Sequence, residues 1–193
     1  LADAFLKDGH HVVGCDSLIG GELDNVPAEA EFYQYDCCFR NSMLKITKDC
    51  DLVYHTAATA YEGLSVFSPH LLTNNIVTGS VSLFSAAIEN KVKRIIYCSS
   101  MARYGTNKVP FHENFIPKPQ DPYGIAKVAA EDILKNLCEV HGVEYVIAVP
   151  HNIIGPRQKY DDPYRNVASI MINLMLQNRQ PIIYGDGNQK RCF

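Results

Sequence analysis

Short apolar runs alternate with longer amphipathic stretches along almost the whole of this 193-residue chain, and few architectures accommodate that alternation. Residues 1–7 have the spacing of a helix end, stopped at Gly9. Strands are expected over 11–15, 31–35, 51–56, 92–98, 144–149 and 181–184, and helices over 71–89, 121–139 and 167–177. Apolar strands alternating with helices make a parallel sheet covered on both faces, so the expected class is α/β with a doubly wound sheet. Such sheets bind ligands at the carboxyl ends of their strands. The informative residues should therefore lie just after each strand.

Composition narrows the function. The chain is 47% apolar and 20% charged, as an ordinary packed domain is, and its formal charge of -3 gives no nucleic-acid or anionic-membrane surface. No apolar run approaches the roughly 20 residues of a membrane span. There is no N-terminal signal pattern and no Asn-x-Ser/Thr site, so a cytoplasmic location is expected. Cysteines stand at 15, 37, 38, 50, 98, 138 and 192, with no Cys-x-x-Cys spacing. Several fall in apolar strands and read as reduced core thiols. The seven histidines are scattered, and no metal site is expected.

Asp16 ends the strand at 11–15. In a dinucleotide-binding unit an acid there accepts the adenosine ribose hydroxyls and repels a 2′-phosphate, which favours NAD over NADP. Asp36, at the end of the strand at 31–35, follows the same logic. Two Tyr/Lys pairs occur at four-residue spacing, Tyr104/Lys108 and Tyr123/Lys127. The first lies among Gly105, Asn107 and Pro110, which is loop chemistry. The second opens a helix: Asp121 can cap it, Pro122 suits its first turn, and positions i and i+4 share a face. A base should be poised near pH 7, and bringing a tyrosine there from about 10 takes about 4 kcal/mol. A nearby ammonium and a cationic nicotinamide ring can supply it. Ser99 and Ser100 follow the strand at 92–98, where a hydroxyl can orient a substrate alcohol toward the tyrosine.

The segments HTAA, LLTNNIVTGSVSLFSAA, YCSSMARYG, DPYGIAK, PHNIIGPRQ and IIYGDGNQKR, in that order, resemble the extended short-chain dehydrogenase/reductase family, most closely the UDP-glucose 4-epimerases and related sugar-nucleotide enzymes. The resemblance covers nearly the whole chain. It implies a Rossmann-like fold, NAD as cofactor and a nucleotide-diphosphate sugar as substrate. It implies Ser100, Tyr123 and Lys127 as catalytic residues. Asp16, Ser17, Asp36 and Cys37 would line the adenosine half of NAD. Thr56, Ala57, Ala58, Asn75, Cys98 and Ser99 would line the rest of the cofactor groove together with Tyr123 and Lys127, with Pro150 near the nicotinamide. Asn152, Tyr184 and Arg191 would contact the nucleotide-sugar, Arg191 on the diphosphate. The glycine-rich loop of such folds would precede the helix at 1–7, so the chain is expected to be truncated at the N-terminus, and at the C-terminus within the substrate part. Residues 1–149 would form a partial NAD-binding domain and 150–193 the start of the substrate-binding part.

The departures from the family pattern point to one reaction. Met101 and Ala102 follow the serine where the family's 4,6-dehydratases carry an Asp-Glu pair and its decarboxylases usually a Glu at the second position. The remaining groups can oxidise C4 of a sugar and reduce it again, which is epimerisation through a 4-keto intermediate. A different NAD-dependent dehydratase, decarboxylase or reductase on the same scaffold stays open, as does a non-catalytic nucleotide-binding or interaction protein. Arg103 stands where a small apolar residue is common in the family. Finally, helices 71–89 and 121–139 carry apolar residues on more than one face: Leu83, Phe84, Ala87 and Ile88 on the first, Val128, Ile133, Leu134 and Leu137 on the second. In the resembled family these helices pair across a two-fold axis, which implies a homodimer.

Overall fold

A computed structural model describes residues 1–162, 167–183, 185–188 and 190. The chain divides into two compact units, Leu1–Val149 and Pro150–Phe193.

The first unit carries the strands β1 (Val13–Asp16), β2 (Glu31–Gln34), β3 (Leu52–His55), β4 (Arg94–Cys98) and β5 (Glu144–Ala148). All their pairings are parallel. They form two sheets, β1-β2 and β3-β4-β5, with no ladder joining β1 to β3. Parallel strands joined through helices are the build of a doubly wound α/β fold. The helices of this unit are α1 (Ala2–Lys7), α2 (Arg40–Ile46), α3 (Glu62–Ser65), α4 (Pro69–Thr73), α5 (Gly79–Glu89) and α6 (Pro122–His141). Side chains alternate along β3, so Val53 and His55 are buried while Leu52 and Tyr54 are exposed. The buried side meets Met43 of α2, Leu83, Phe84 and Ala87 of α5, Ile95 and Tyr97 of β4, and Ala130 and Leu134 of α6 in one core. On the other side the Phe5 ring of α1 packs against Tyr54 at 4.9 Å.

α6 follows the cap signals in its sequence. The Asp121 carboxylate accepts the Gly124 N–H at 2.8 Å, Pro122 stands in the first turn, and Gly142 ends the helix at φ 68°. The helix expected at 71–89 begins earlier, at Pro69, and contains a π-helical turn, Asn74–Thr78, between α4 and α5. Contrary to the sequence reading, the run Pro69–Glu89 is by length and composition long and apolar enough to cross a membrane. Half of its most apolar window is buried inside the protein, as in a core helix.

The second unit holds α7 (Val167–Leu176). Residues 181–183 form no strand, contrary to the reading of 181–184. Tyr184 lies outside the described residues. The described cysteines are free thiols, as expected: Cys138 lies in the core and 15, 37 and 50 pack half-buried against it, while 38 and 98 are half-buried outside it.

Candidate active site

Strand register brings the site together. His55 pairs with Tyr97, and Cys98 with Ala148. The segments Thr56-Ala57-Ala58 and Ser99-Ser100 therefore leave the sheet at the same carboxyl edge. Asp16 pairs with Gln34, so Asp16 with Ser17, and Asp36 with Cys37, leave β1 and β2 at their own carboxyl edge. The Asp16 carboxylate accepts the Leu18 N–H at 2.6 Å, and that of Asp36 accepts the Cys38 N–H at 2.8 Å. Both are local turns that hold a carboxylate at a strand end. Cys37 lies beside Cys15, and their shared hydrogen bond, then burial, pushes its thiol up.

The face of α6 turned to this edge carries Tyr123, Lys127 and Glu131, one helical turn apart, at 7%, 2% and 0% exposure. Each meets the end of β4. Tyr123 shares a hydrogen bond with Ser100. The Lys127 ammonium donates to the Cys98 carbonyl at 2.7 Å. Glu131 accepts the Ser99 hydroxyl. Ser100 itself caps a 3-10 turn, Met101–Tyr104, its hydroxyl accepting the Ala102 N–H at 3.1 Å.

The electrostatics depart from the sequence reading in one respect. Burial holds the Tyr123 phenol above its ordinary value, and the Ser100 hydrogen bond pulls the other way without prevailing. The Lys127 Nζ lies 6.0 Å from the Tyr123 ring centroid, over Tyr97 at 5.0 Å, and donates to the Cys98 carbonyl. Burial lowers Lys127 itself to about 8, against the opposing pull of Cys98 and Glu131. His55, fully buried, is lowered to about 3 by burial and then by the Lys127 charge. It is a neutral ring that shares a 2.8 Å hydrogen bond with Ser80 and supports the strand from below.

Asn75 belongs to the π-helical turn, and its amide donates to the Thr59 hydroxyl at 2.9 Å. Bulges of this kind recur at functional sites. Thr59 is nearly buried and ties the loop after β3 to that turn. Sequence reading missed it, and nothing in the local pattern distinguishes it from any loop threonine. Arg103 and Glu131, a buried ion pair behind Ser99, were also missed as a pair; an arginine in an otherwise apolar turn was the only signal.

Pro150 and Asn152 fall in the second unit, Asn152 at φ 44°. Arg191, like Tyr184, lies outside the described residues. Among the described residues no three His, Cys, Asp or Glu side chains gather in a metal-holding group.

The sequence profile of the NAD dependent epimerase/dehydratase family matches residues 1–193. A Methanocaldococcus jannaschii protein, whose UDP-glucose 4-epimerase name is itself provisional, is 34% identical over 198 residues, which cover 100% of this chain and 64% of that protein. The structure of Thermotoga maritima UDP-glucose 4-epimerase with UDP-glucose superimposes with a TM-score of 0.92 at 32% identity, over 96% of this chain and 62% of that one. Bacillus cereus UDP-glucuronic acid 4-epimerase, solved with UDP-glucuronic acid and NAD, gives 0.85 at 27% identity, over 98% and 62%. The chain thus spans less than two thirds of the length of each of these three proteins.

Proposed function

The chain belongs to the NAD dependent epimerase/dehydratase family, and on that premise we propose that the whole protein interconverts nucleotide-diphosphate sugars epimeric at C4, through a transient 4-keto sugar. The observation that carries the reading is the buried face of α6, which brings Tyr123 to Ser100 and Lys127 to the end of β4.

NAD fits the residues present. Two carboxylates, Asp16 and Asp36, stand at the ends of adjacent parallel strands, where an adenosine ribose is recognised. Ser17 and Cys37 flank them. Thr56, Ala57, Ala58, Asn75, Cys98 and Ser99 would line the rest of the groove, and Pro150 the nicotinamide end. When bound, NAD supplies a reversible hydride store. The chain's own residues handle the proton. Tyr123 takes it from the sugar 4-hydroxyl and gives it back after the ring has turned. Ser100, hydrogen-bonded to Tyr123, orients that hydroxyl and relays its proton. Lys127 adds positive charge where the phenolate forms, which favours that form. Asn152, Tyr184 and Arg191 would hold the nucleotide-sugar.

Epimerisation is preferred over dehydration because the turn after Ser100 offers no acid. Ala102 packs in an apolar cluster with Tyr123, Leu72 and Ile76. The test is a product assay on the full-length protein with UDP-hexoses deuterated at C4. We expect a C4 epimer that retains the label, with no net NADH consumption and no loss of water. Loss of water, or stoichiometric use of NADH, would move the protein to a dehydratase or reductase.

For Asp16→Ala, NAD binding should weaken by at least about tenfold and the preference over NADP should relax, because the carboxylate lost is both the ribose acceptor and the group that repels a 2′-phosphate. Isothermal titration with both cofactors measures it. Equal affinity for the two in the unsubstituted protein would remove Asp16 from this role.

A homodimer through the helices of 71–89 and 121–139, in the cytoplasm, completes the reading. Free cysteines suit a reducing compartment. Leu83, Phe84, Ala87 and Leu134 are spent on the core of one subunit, so they cannot form the interface. Ile88 and Leu137 pack half-buried against that same core, which leaves the half-buried Val128 and Ile133 for it. Light scattering should give a dimer at micromolar concentration, and charged substitutions at Val128 and Ile133 should dissociate it. A monomer, or a dimer indifferent to those changes, would exclude this face.

A further inference from the structure

We propose that Arg103 is a positioning residue for the proton-transfer pair, acting through Glu131 and Ser99 to hold the Ser100 turn against the Tyr123–Lys127 face of α6. The inference rests on the functional reading above and extends it to a residue that the reading leaves unused.

Arg103 is 8% exposed and Glu131 is 0% exposed. Arg103 Nη2 lies 3.0 Å from Glu131 Oε2, while Oε1 of the same carboxylate accepts the Ser99 hydroxyl. One carboxylate on the helix thus meets both ends of the segment 99–103, by a hydrogen bond at Ser99 and by charge at Arg103, where Oε2 accepts no hydrogen bond, with Ser100 between them. The backbone completes the clamp: Arg103 N–H donates to the Ser100 carbonyl at 3.1 Å, Lys118 N–H donates to the Arg103 carbonyl at 2.8 Å, and Ser99 N–H is tied to Ala148 at 2.8 Å. The guanidinium is itself held, over the Tyr104 ring at 5.1 Å and 3.3 Å from its hydroxyl.

A buried ion pair is a poor way to add stability, because both charges lose their water. It is a good way to fix a register. Glu131 also stands one turn beyond Lys127 on the same helical face. If nothing else engaged that carboxylate, the Lys127 ammonium could swing to it and abandon the Cys98 carbonyl. The other cation near it, Lys135, is at 3.9 Å and half exposed. Arg103 therefore does two things: it pins the turn that carries Ser100, and it occupies the carboxylate that competes for Lys127.

The test compares Arg103→Met, Arg103→Lys and Glu131→Gln in the full-length protein. For Arg103→Met, kcat should fall at least about tenfold with KM for the sugar nucleotide nearly unchanged, since alignment and not binding is lost. Arg103→Lys, which can still place one cation on Glu131, should recover most of that loss. In the ligand-free protein, amide exchange at 99–105 should speed up in Arg103→Met while exchange in the middle of α6 does not. A smaller change in kcat, even with a lowered melting temperature, overturns the proposal, because that is what a purely structural pair would give. If Arg103→Met does not fold, Glu131→Gln decides by the same kcat criterion. If the unsubstituted protein shows no epimerisation, the functional reading fails on its own. The exchange arm then still decides whether Arg103 holds the turn, and unchanged exchange refutes it.

Discussion

Replacing Tyr123 by phenylalanine should leave a folded, NAD-binding protein whose turnover has fallen by at least about 10²-fold, the lower end for a positioned acid–base group. The ring stays because the position is 7% exposed and packs with Leu72, Ile76 and Ala126. Only the hydroxyl goes, and with it the hydrogen bond to Ser100. A structural tyrosine would show the opposite pattern, a modest loss of stability with turnover nearly intact, and that result would take Tyr123 out of the mechanism. The pH profile of the unsubstituted enzyme carries a second signature. Burial lowers Lys127 to about 8, so its ammonium is the form lost as pH rises through that value. Turnover that depends on the ammonium should decline above about pH 8, well short of the ordinary lysine range near 10.4. A plateau through pH 9 would mean that the charge on Lys127 is not needed.

Gly105→Ala should be the most destabilising small substitution in the first unit, at about 3–5 kcal/mol. Gly105 sits at φ 41° and ψ -107°, at the end of the turn that carries Ser100. A Cβ built there would lie 1.9 Å from the Lys118 carbonyl oxygen and 2.8 Å from its carbon. Those are backbone atoms, so no side chain can swing aside. The two segments would have to part, at the expense of the hydrogen bonds from Thr106 N–H to Lys118 and from Lys118 N–H to Arg103. Gly142→Ala is the internal control. It shares a positive φ, 68°, but nothing lies within 4 Å of its Cβ position, so only the conformational penalty of about 1 kcal/mol applies. Urea denaturation of both variants measures the difference. If the two cost the same, the close approach at Lys118 is not a real constraint.

What could be read from sequence was what local chemistry declares. Asp121 and Pro122 announce the start of α6 and fix which face carries Tyr123 and Lys127, while its end lies at His141, before Gly142, and not at 139. The strands of the first unit announce themselves by their apolar runs, and their order implies a common carboxyl edge. The π-helical turn at Asn74–Thr78 could not be read, because a single widened turn inside a helix has no residue signature of its own. α2 escaped notice because it is seven residues long and no side chain caps its start at Phe39. The Arg103–Glu131 pair was hidden for another reason: its members come from separate elements, and only the packing of α6 on the turn joins them. The apolar residues of α5 were read as surplus surface, but Leu83, Phe84 and Ala87 are core, since two neighbouring helices, α2 and α6, as well as the sheet, bury that helix.

The division of the sheet has a consequence for handling the chain. β1 is paired only with β2, and β3 only with β4. Each sheet thus ends in a row of main-chain donors and acceptors with no ladder partner, on runs such as Val12-Val13-Gly14-Cys15 and Leu52-Val53-Tyr54 that hold no proline and no charge. Such rows are templates for whatever extended segment arrives first. A strand paired along either edge would remove that template. Without one, intermolecular strand addition competes, at a rate that rises with concentration. Solubility on dilution, rather than melting temperature, would then be the sensitive report on whether these two edges are satisfied.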